Sequence, residues 1–313
     1  MIEFIFKKMQ LFLITMFILT LILFWAHIRL GDLEINRIVP DYIHYATDLI
    51  TLKFGNSSES GMPIIEEMKL FFPPTVELLL LSLVISFGFG IFLGIVGGLN
   101  HHSFTDKCIY GYCLLSSSVP VYWSAQIFIL LFCIYIKIFP TSGNISLLYD
   151  VPRYSGFMTI DVIIYGNYDV FMDMLKHLAL PLTALSIVPC ATFARITRRA
   201  TINLTQKYFI KAAYCRGESK FDIGVHHVLR NILPDIIQKL NIIICNLYSS
   251  CILVEVIFEW PGTGLWITQS ISNSDGRIIE ATTFVLGTSF LILNITLDIL
   301  STLVINRTRL THS

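Results

Sequence analysis

Six apolar runs, each long enough to cross a bilayer as a helix, leave few folds open to this sequence. They cover residues 9–28, 75–99, 108–136, 178–194, 234–258 and 282–305. A helix needs about 20 residues to traverse the hydrocarbon, where every backbone polar group must be satisfied within the protein. A buried helix of a soluble domain would explain any one run, but not six. Of the 313 residues 54% are apolar and 14% charged, too few charges to clothe a soluble domain of this length. The fourth run is short and holds Pro181 and Pro189, so neighbouring helices are expected to re-satisfy the backbone groups those prolines free. Lys7 and Lys8 precede the first run as they would in a signal peptide. That run is long, however, and ends at Ile28 and Arg29 with no small-x-small cleavage pattern, so it reads as a retained anchor.

Charge is sorted between the connecting segments. Lys7, Lys8 and Lys107, then Arg195, Arg198, Arg199, Lys207, Lys211, Arg216, Lys220 and Arg230, then Arg307 and Arg309 fall on one side. Asp32, Glu34, Asp41, Asp48, Glu59, Glu66 and Glu67 fall on the other, with Asp150, Asp161, Asp169 and Asp173. Basic residues favour the cytoplasmic side. The expected topology has six spans and both termini in the cytoplasm, and the balance of 22 basic and 22 acidic residues conceals that asymmetry. A basic membrane face needs no nucleic-acid partner to explain it. Residues 29–74 and 139–177 are then outer segments, 195–233 is the one sizeable cytoplasmic segment, and 1–313 is a single all-α membrane domain. The seven cysteines all fall in spans or in the cytoplasmic segment, so no disulfide scaffold is implied, and Cys108 and Cys113 are not at a zinc spacing.

Catalytic signatures are missing from the sequence. It holds no Gly-x-x-x-x-Gly-Lys-[Ser/Thr], His-Glu-x-x-His, Gly-x-Ser-x-Gly or Cys-x-x-Cys. His101-His102 and His226-His227 are adjacent pairs and point around a helix rather than along one face, so neither reads as a metal site. Ser82, Ser86, Gly90, Gly94 and Gly98 recur every four residues in the second run and predict close approach of another helix. Ionisable residues within spans are costly and often functional. Glu77 and Glu255 stand near outer ends, where both could reach water, and a cap or interface role is expected as much as cargo contact. Asp298 sits deeper, one turn from Asn294, and an interhelical hydrogen-bond network is preferred over cargo binding.

The cytoplasmic segment carries the densest local pattern. Lys211, Ala212 and Ala213 precede a turn at Gly217, and a second stretch through His227, Asn231, Leu233 and Pro234 enters the fifth run. The two alanines permit close approach of a partner, Gly217 permits positive φ, and Pro234 suits the start of a helix. The pattern resembles the EAA loop of ATP-binding-cassette importer permeases, and is most similar to the B-type subunit of the dipeptide and oligopeptide permease family. Lys211 stands where that motif usually has Glu. The resemblance extends through Phe54-Gly55, Pro74-Thr75-Val76-Glu77-Leu78, Ser118-Val119-Pro120-Val121-Tyr122-Trp123, the stretch from Glu255 through Trp260-Pro261-Gly262 to Gly264, and Asn294 with Asp298. The usual Asn-Pro-Arg end is Asn306-Arg307 here. Leu147 to Val151, Gly156-Phe157 and Ile160-Asp161 look like the Sap-type branch.

The resemblance implies a type I importer permease in the inner membrane that moves peptides, antimicrobial peptides among them, or polyamines by alternating access. It implies a homologous C-type permease, two ATPase subunits docked on Lys211, Ala212, Ala213, Gly217, His227, Asn231, Leu233 and Pro234, and a periplasmic binding protein. ATP and magnesium would belong to the ATPases. The rival classes are a secondary transporter or channel, which needs a relay of charges through the spans, and a membrane-embedded enzyme, which needs paired catalytic groups at depth. The sequence shows few deep charges beside a strong docking pattern, which leaves the transporter or channel as the alternative, and no such catalytic pair.

Overall fold

The computed structural model describes residues 2–29 and 38–310, and the side chains of all of these except 2, 4, 5, 235 and 304–310. Asp32 and Glu34 lie outside the described residues, as do the side chains of Asn306, Arg307 and Arg309. In chain order the helices are α1 (Ile2–Arg29), α2 (Ile38–Ile50), α3 (Ile64–Leu99), α4 (Phe104–Ser118), α5 (Val121–Phe128), α6 (Met158–Tyr165), α7 (Tyr168–Thr205), α8 (Tyr208–Cys215), α9 (Lys220–Asp222), α10 (Arg230–Ile257), α11 (Thr263–Ser272) and α12 (Gly276–Leu310). Two π-helical turns, Ile129–Tyr135 and Ile223–Leu229, follow α5 and α9. Among the described residues the only β-pairing is an isolated bridge between Asn56 and Pro63.

Helices α1, α3, α7, α10 and α12 are each long and apolar enough to cross a membrane. The run at 108–136 is not the single straight span expected. It breaks at Val119-Pro120, and its two halves, Phe104–Ser118 and Val121–Tyr135, meet at 103°. Steric conflict with the proline ring drives the preceding residue out of helical conformation, and Val119 is extended at φ −103° and ψ 123°.

Pro73-Pro74, by contrast, does not stop the helix that begins at Ile64. Helix α3 runs through both prolines to Leu99. An internal proline costs about 3 kcal/mol, and tertiary packing just upstream offsets it. Ile64 and Met68 are buried, and the Phe71 ring stacks on Trp266 with centroids 5.1 Å apart. Pro234 likewise lies inside α10 rather than at its start. The π-helical turn just before α10 carries the chain into helix ahead of the proline.

The chain divides into two compact units. The first joins Met1–Thr75 with Pro261–Ile299. One core here is Ile64, Met68, Trp266, Ile278 and Ala281, and another gathers Leu23, Leu49 and Phe284. Polar side chains tie its loops: Asp275 accepts from Ser57 Oγ at 3.0 Å and from the Ser58 amide at 2.7 Å. The Thr75 hydroxyl accepts the Thr263 amide at 2.8 Å, at the amino end of α11.

The second unit joins Val76–Trp260 with Leu300–Ser313 and is built around α7. Its main core includes Leu78, Ala125, Leu185, Leu247, Val254 and Trp260. Ser82, Ser86, Gly90, Gly94 and Gly98 all face α7. Ser86 Oγ donates to the Ser186 carbonyl at 3.1 Å, and Ser186 Oγ donates back to the Ser82 carbonyl at 3.4 Å. A methyl carbon at Gly90 would lie 2.5 Å from Phe193 Cβ, and one at Gly94 or Gly98 would collide with Thr197 or Thr201. These glycines let the two backbones touch.

Candidate functional site

The segment expected at 195–233 starts inside α7, which continues to Thr205, and the chain from there to α10 forms a compact helical hairpin. Helix α8 closes with a glycine turn: Arg216 caps it, and Gly217 adopts φ +84°. The Gly217 amide donates to the Tyr214 carbonyl at 3.0 Å, and the Glu218 amide donates to the Ala213 carbonyl at 3.3 Å. This pair of bonds is the Schellman arrangement, which uses up carbonyls at the helix end and favours glycine in the left-handed position. Ser219 then opens α9, its hydroxyl accepting the Asp222 amide at 3.1 Å.

The hairpin is anchored rather than loose. Ile210 and Ala213 of α8 and Ile223 and Val228 of the π-helical turn share a buried cluster with Ile91 of α3, Phe193 of α7 and Ile232 and Ile236 of α10. A methyl group on Gly224 would meet Ile95 at 3.1 Å and Leu99 at 3.4 Å, so the π-helical turn lies close against α3. Lys220 Nζ also donates to Asn100 Oδ1 at 2.7 Å. Any displacement of α8 therefore bears directly on the ends of three long helices.

The residues named from the sequence divide by exposure. Lys211, Ala212, Gly217 and Asn231 are exposed, His227, Leu233 and Pro234 are half-buried, and Ala213 is fully buried. The two alanines thus do different things: Ala212 presents a small surface, and Ala213 seats α8 in the core. Tyr208 and Phe221, 89% and 74% exposed, flank this surface. Large aromatic side chains left in the open beside a small-residue patch are a feature of interaction surfaces, and only their exposure in the fold brings them forward.

Three side chains fasten the end of α8. Glu218 accepts from Arg216 Nη2 at 2.6 Å and pairs with His227 Nε2 at 2.8 Å. The Arg216 bonds, followed by the His227 bond, hold the Glu218 carboxyl below the usual carboxylate range. The pair His226-His227 is split accordingly, His227 turned to Glu218 and His226 to the Asp222 carbonyl.

The intramembrane polar residues are placed apart from this surface. Glu77 and Glu255, expected within reach of water, are 3% and 0% exposed. Glu77 accepts the amides of Met158 at 3.0 Å and Thr159 at 2.6 Å, together with the Thr159 hydroxyl. It thereby closes the amino end of α6, whose own N-cap residue, Phe157, offers no side-chain bond. Glu255 accepts from Cys251 Sγ at 3.5 Å. Asp298 accepts from Lys8 Nζ, a partner the sequence did not suggest, and Asn294 stands half-buried one turn away. Between residues 139 and 177, Asp161 holds the turn at Ser155 and Gly156, and Asp173 holds Ser146. Among the described residues no group of three or more His, Cys, Asp or Glu side chains is arranged to hold a metal ion.

Comparison with known proteins bears on this arrangement. Residues 86–310 match the family described as binding-protein-dependent transport system inner membrane component. The chain is 32% identical over 308 residues to the putrescine export system permease protein SapB of Escherichia coli (strain K12), covering 96% of this chain and 95% of that one. It is equally similar, with the same coverage, to the peptide transport system permease protein SapB of Salmonella typhimurium. It is 30% identical over 259 residues to the di/tripeptide transport system permease protein DppB of Pseudomonas aeruginosa, covering 83% of this chain and 77% of that one.

Proposed function

Because this chain belongs to the family of binding-protein-dependent transport system inner membrane components, a multi-pass and non-catalytic permease family, we propose that its α8 hairpin is the surface on which an ATPase subunit docks. The family implies ATPase and binding-protein partners. The observation that carries the reading is the two-sidedness of α8. Ala213 and Ile210 are buried in a core shared with α3, α7 and α10, while Lys211, Ala212, Gly217, Tyr208 and Phe221 face outward. A push on the outer side reaches the spans through packed side chains.

In this reading both termini are cytoplasmic and the whole chain acts as one permease domain. It pairs with a homologous C-type permease, two ATPases bind beneath, and a periplasmic binding protein meets the outer face. ATP and magnesium stay on the ATPases, and access alternates between the two sides as they close and open. Peptides are the cargo class best supported, since relatives are named for peptide and di/tripeptide transport. A polyamine is the second reading, since one equally similar relative is named for putrescine export.

Gly217→Asp tests the docking surface. No atom of its surroundings lies within 4 Å of the position a Cβ would take, so the change strains φ and adds a charge without a clash. The matched control is Gly166→Asp, at another left-handed helix end with φ +73°. Both variants should reach the membrane, and only Gly217→Asp should lose co-purifying ATPase and transport. Normal ATPase recovery and transport in Gly217→Asp would reduce the hairpin to a connector. Uptake of labelled peptides and cellular retention of putrescine in a strain lacking the chain separate the two cargo readings.

A further inference from the structure

Three arginines of α7 converge on one cavity. Arg195, Arg198 and Arg199 share a helix face, because residues three and four apart stand one above another. With Ile202, and with Tyr110 and Cys113 of α4, they line a space of about 200 Å³. Arg198 lies 5.4 Å over the centre of the Tyr110 ring. It is also bound to Asp106 through Nε at 2.5 Å and Nη2 at 2.8 Å. Asp106 is already engaged on both oxygens. Its oxygens also take His101 Nδ1 at 3.0 Å and the His102 amide at 3.1 Å.

Arg195 and Arg199 are exposed, and among the described residues neither has an ion pair or hydrogen bond. Like charges four apart on a helix repel, so the face carries two guanidiniums without a counter-charge. Its depth is fixed by the sequence. The apolar stretch 178–194 ends directly before Arg195. Helix α7 has 38 residues, about 57 Å at 1.5 Å per residue, against a hydrocarbon core of about 30 Å. Its last turns therefore stand at headgroup level.

We propose that this cavity holds the headgroup of an anionic phospholipid, with Arg195 and Arg199 gripping the phosphodiester and Arg198 serving as the fixed wall. Guanidinium groups match phosphate oxygens in paired hydrogen bonds, and basic pockets between membrane helices on the cytoplasmic side suit such lipids. The arginine stems, the Tyr110 ring, Cys113 and Ile202 give an apolar wall that fits the glycerol and first acyl carbons. A free phosphate ion has no use for that wall. Bound lipid would offset part of that positive charge and hold the end of α7 that leads directly into α8.

The test uses the full chain, purified and stripped of lipid, then returned to phosphatidylcholine micelles doped with phosphatidylglycerol. Bound phosphatidylglycerol is counted by native mass spectrometry. Wild type should retain it over phosphatidylcholine, and the pair Arg195→Gln with Arg199→Gln should bind it about tenfold or more weakly. Arg195→Lys with Arg199→Lys should fall between, and Arg153→Gln, in an outer segment, should match wild type. If the glutamine pair loses its helical circular dichroism, each single glutamine variant is read in its place. Unchanged phosphatidylglycerol binding in the glutamine variants overturns the proposal, and overturns it in favour of a protein partner if ATPase recovery falls instead. Displacement of the lipid by millimolar inorganic phosphate overturns the lipid assignment in favour of a free anion.

Discussion

Lys8 and Asp298, 290 positions apart in the sequence, meet ammonium to carboxylate at 2.5 Å, joining α1 to α12. Both side chains are largely withdrawn from solvent. Removing one partner takes a close ion pair from the other, whereas removing both leaves two apolar surfaces in contact. A double-mutant cycle of Lys8→Met and Asp298→Leu, followed by unfolding in mixed micelles, should show a coupling of about 1–3 kcal/mol. Asp298→Asn should fall short of wild type, because an amide bonds the ammonium without neutralising it. Additive single effects would mean that the pair contributes nothing to holding the helices together.

The seam between α3 and α7 makes a contrast within one helix. Gly94→Ala places a carbon against Thr197, so one backbone must move, at about 1–3 kcal/mol. Gly88→Ala meets nothing within 4 Å and should be neutral or stabilising by about 0.5–1 kcal/mol, as expected for replacing glycine within a helix. Thermal melts of the two variants in the same detergent decide it. Equal melting temperatures would remove the seam as the site of close approach.

Glu77 should behave as a cap. Glu77→Ala leaves the amides of Met158 and Thr159 without an acceptor, an expected loss of about 1–3 kcal/mol. Glu77→Gln keeps one acceptor oxygen and should retain part of the stability. Limited proteolysis of the 139–157 segment reports the difference. If cleavage is unchanged in Glu77→Ala, α6 does not depend on this bond.

The Glu218 cluster gives a pH dependence of definite sign. Its carboxyl is held low by Arg216 and His227, so its contribution is fully present above the unfolded value of about 4.3. That contribution is lost as pH falls through the lower folded value. Hydrogen exchange at the end of α8 should therefore show no loss of protection from this group between pH 8 and 5, and a decline below about pH 4. Glu218→Gln should weaken protection at neutral pH and flatten the decline. Loss of protection that begins near neutral pH in wild type and persists in Glu218→Gln would point elsewhere.

Orientation is open to labelling. With Cys108 replaced by serine, cysteines at Ser58 and Leu148 should react with an impermeant maleimide from outside, since both positions are exposed. The native Cys215, exposed at the end of α8, should react only after permeabilisation. Labelling of Cys215 in intact spheroplasts would invert the topology.

The apolar runs made the membrane-spanning helices legible, because the length of a run is a local property. Proline was a poorer guide. Pro120 breaks its run, yet Pro73, Pro74, Pro181, Pro189 and Pro234 all lie inside helices. Whether a proline ends a helix depends on what packs beside it, which no local window contains. Partners were hidden for the same reason. Lys8 read as a topology signal and Asp298 as the neighbour of Asn294, and only the fold introduces them. In the α8 hairpin the residue types were visible, but the burial of Ala213 and the exposure of Phe221 were not, since both depend on how the hairpin packs against the long helices.

Helix α7 runs without interruption from its cap at Asn167 to Thr205, with Pro181 and Pro189 near its middle. A rod that pivots near its middle carries its two ends in opposite senses. An inward swing beneath is then an outward swing above, with no relay of side chains needed between them. For a wall that must open to one compartment as it shuts to the other, a single stiff lever is sufficient machinery, and Pro181 and Pro189 stand beside the point about which it would turn.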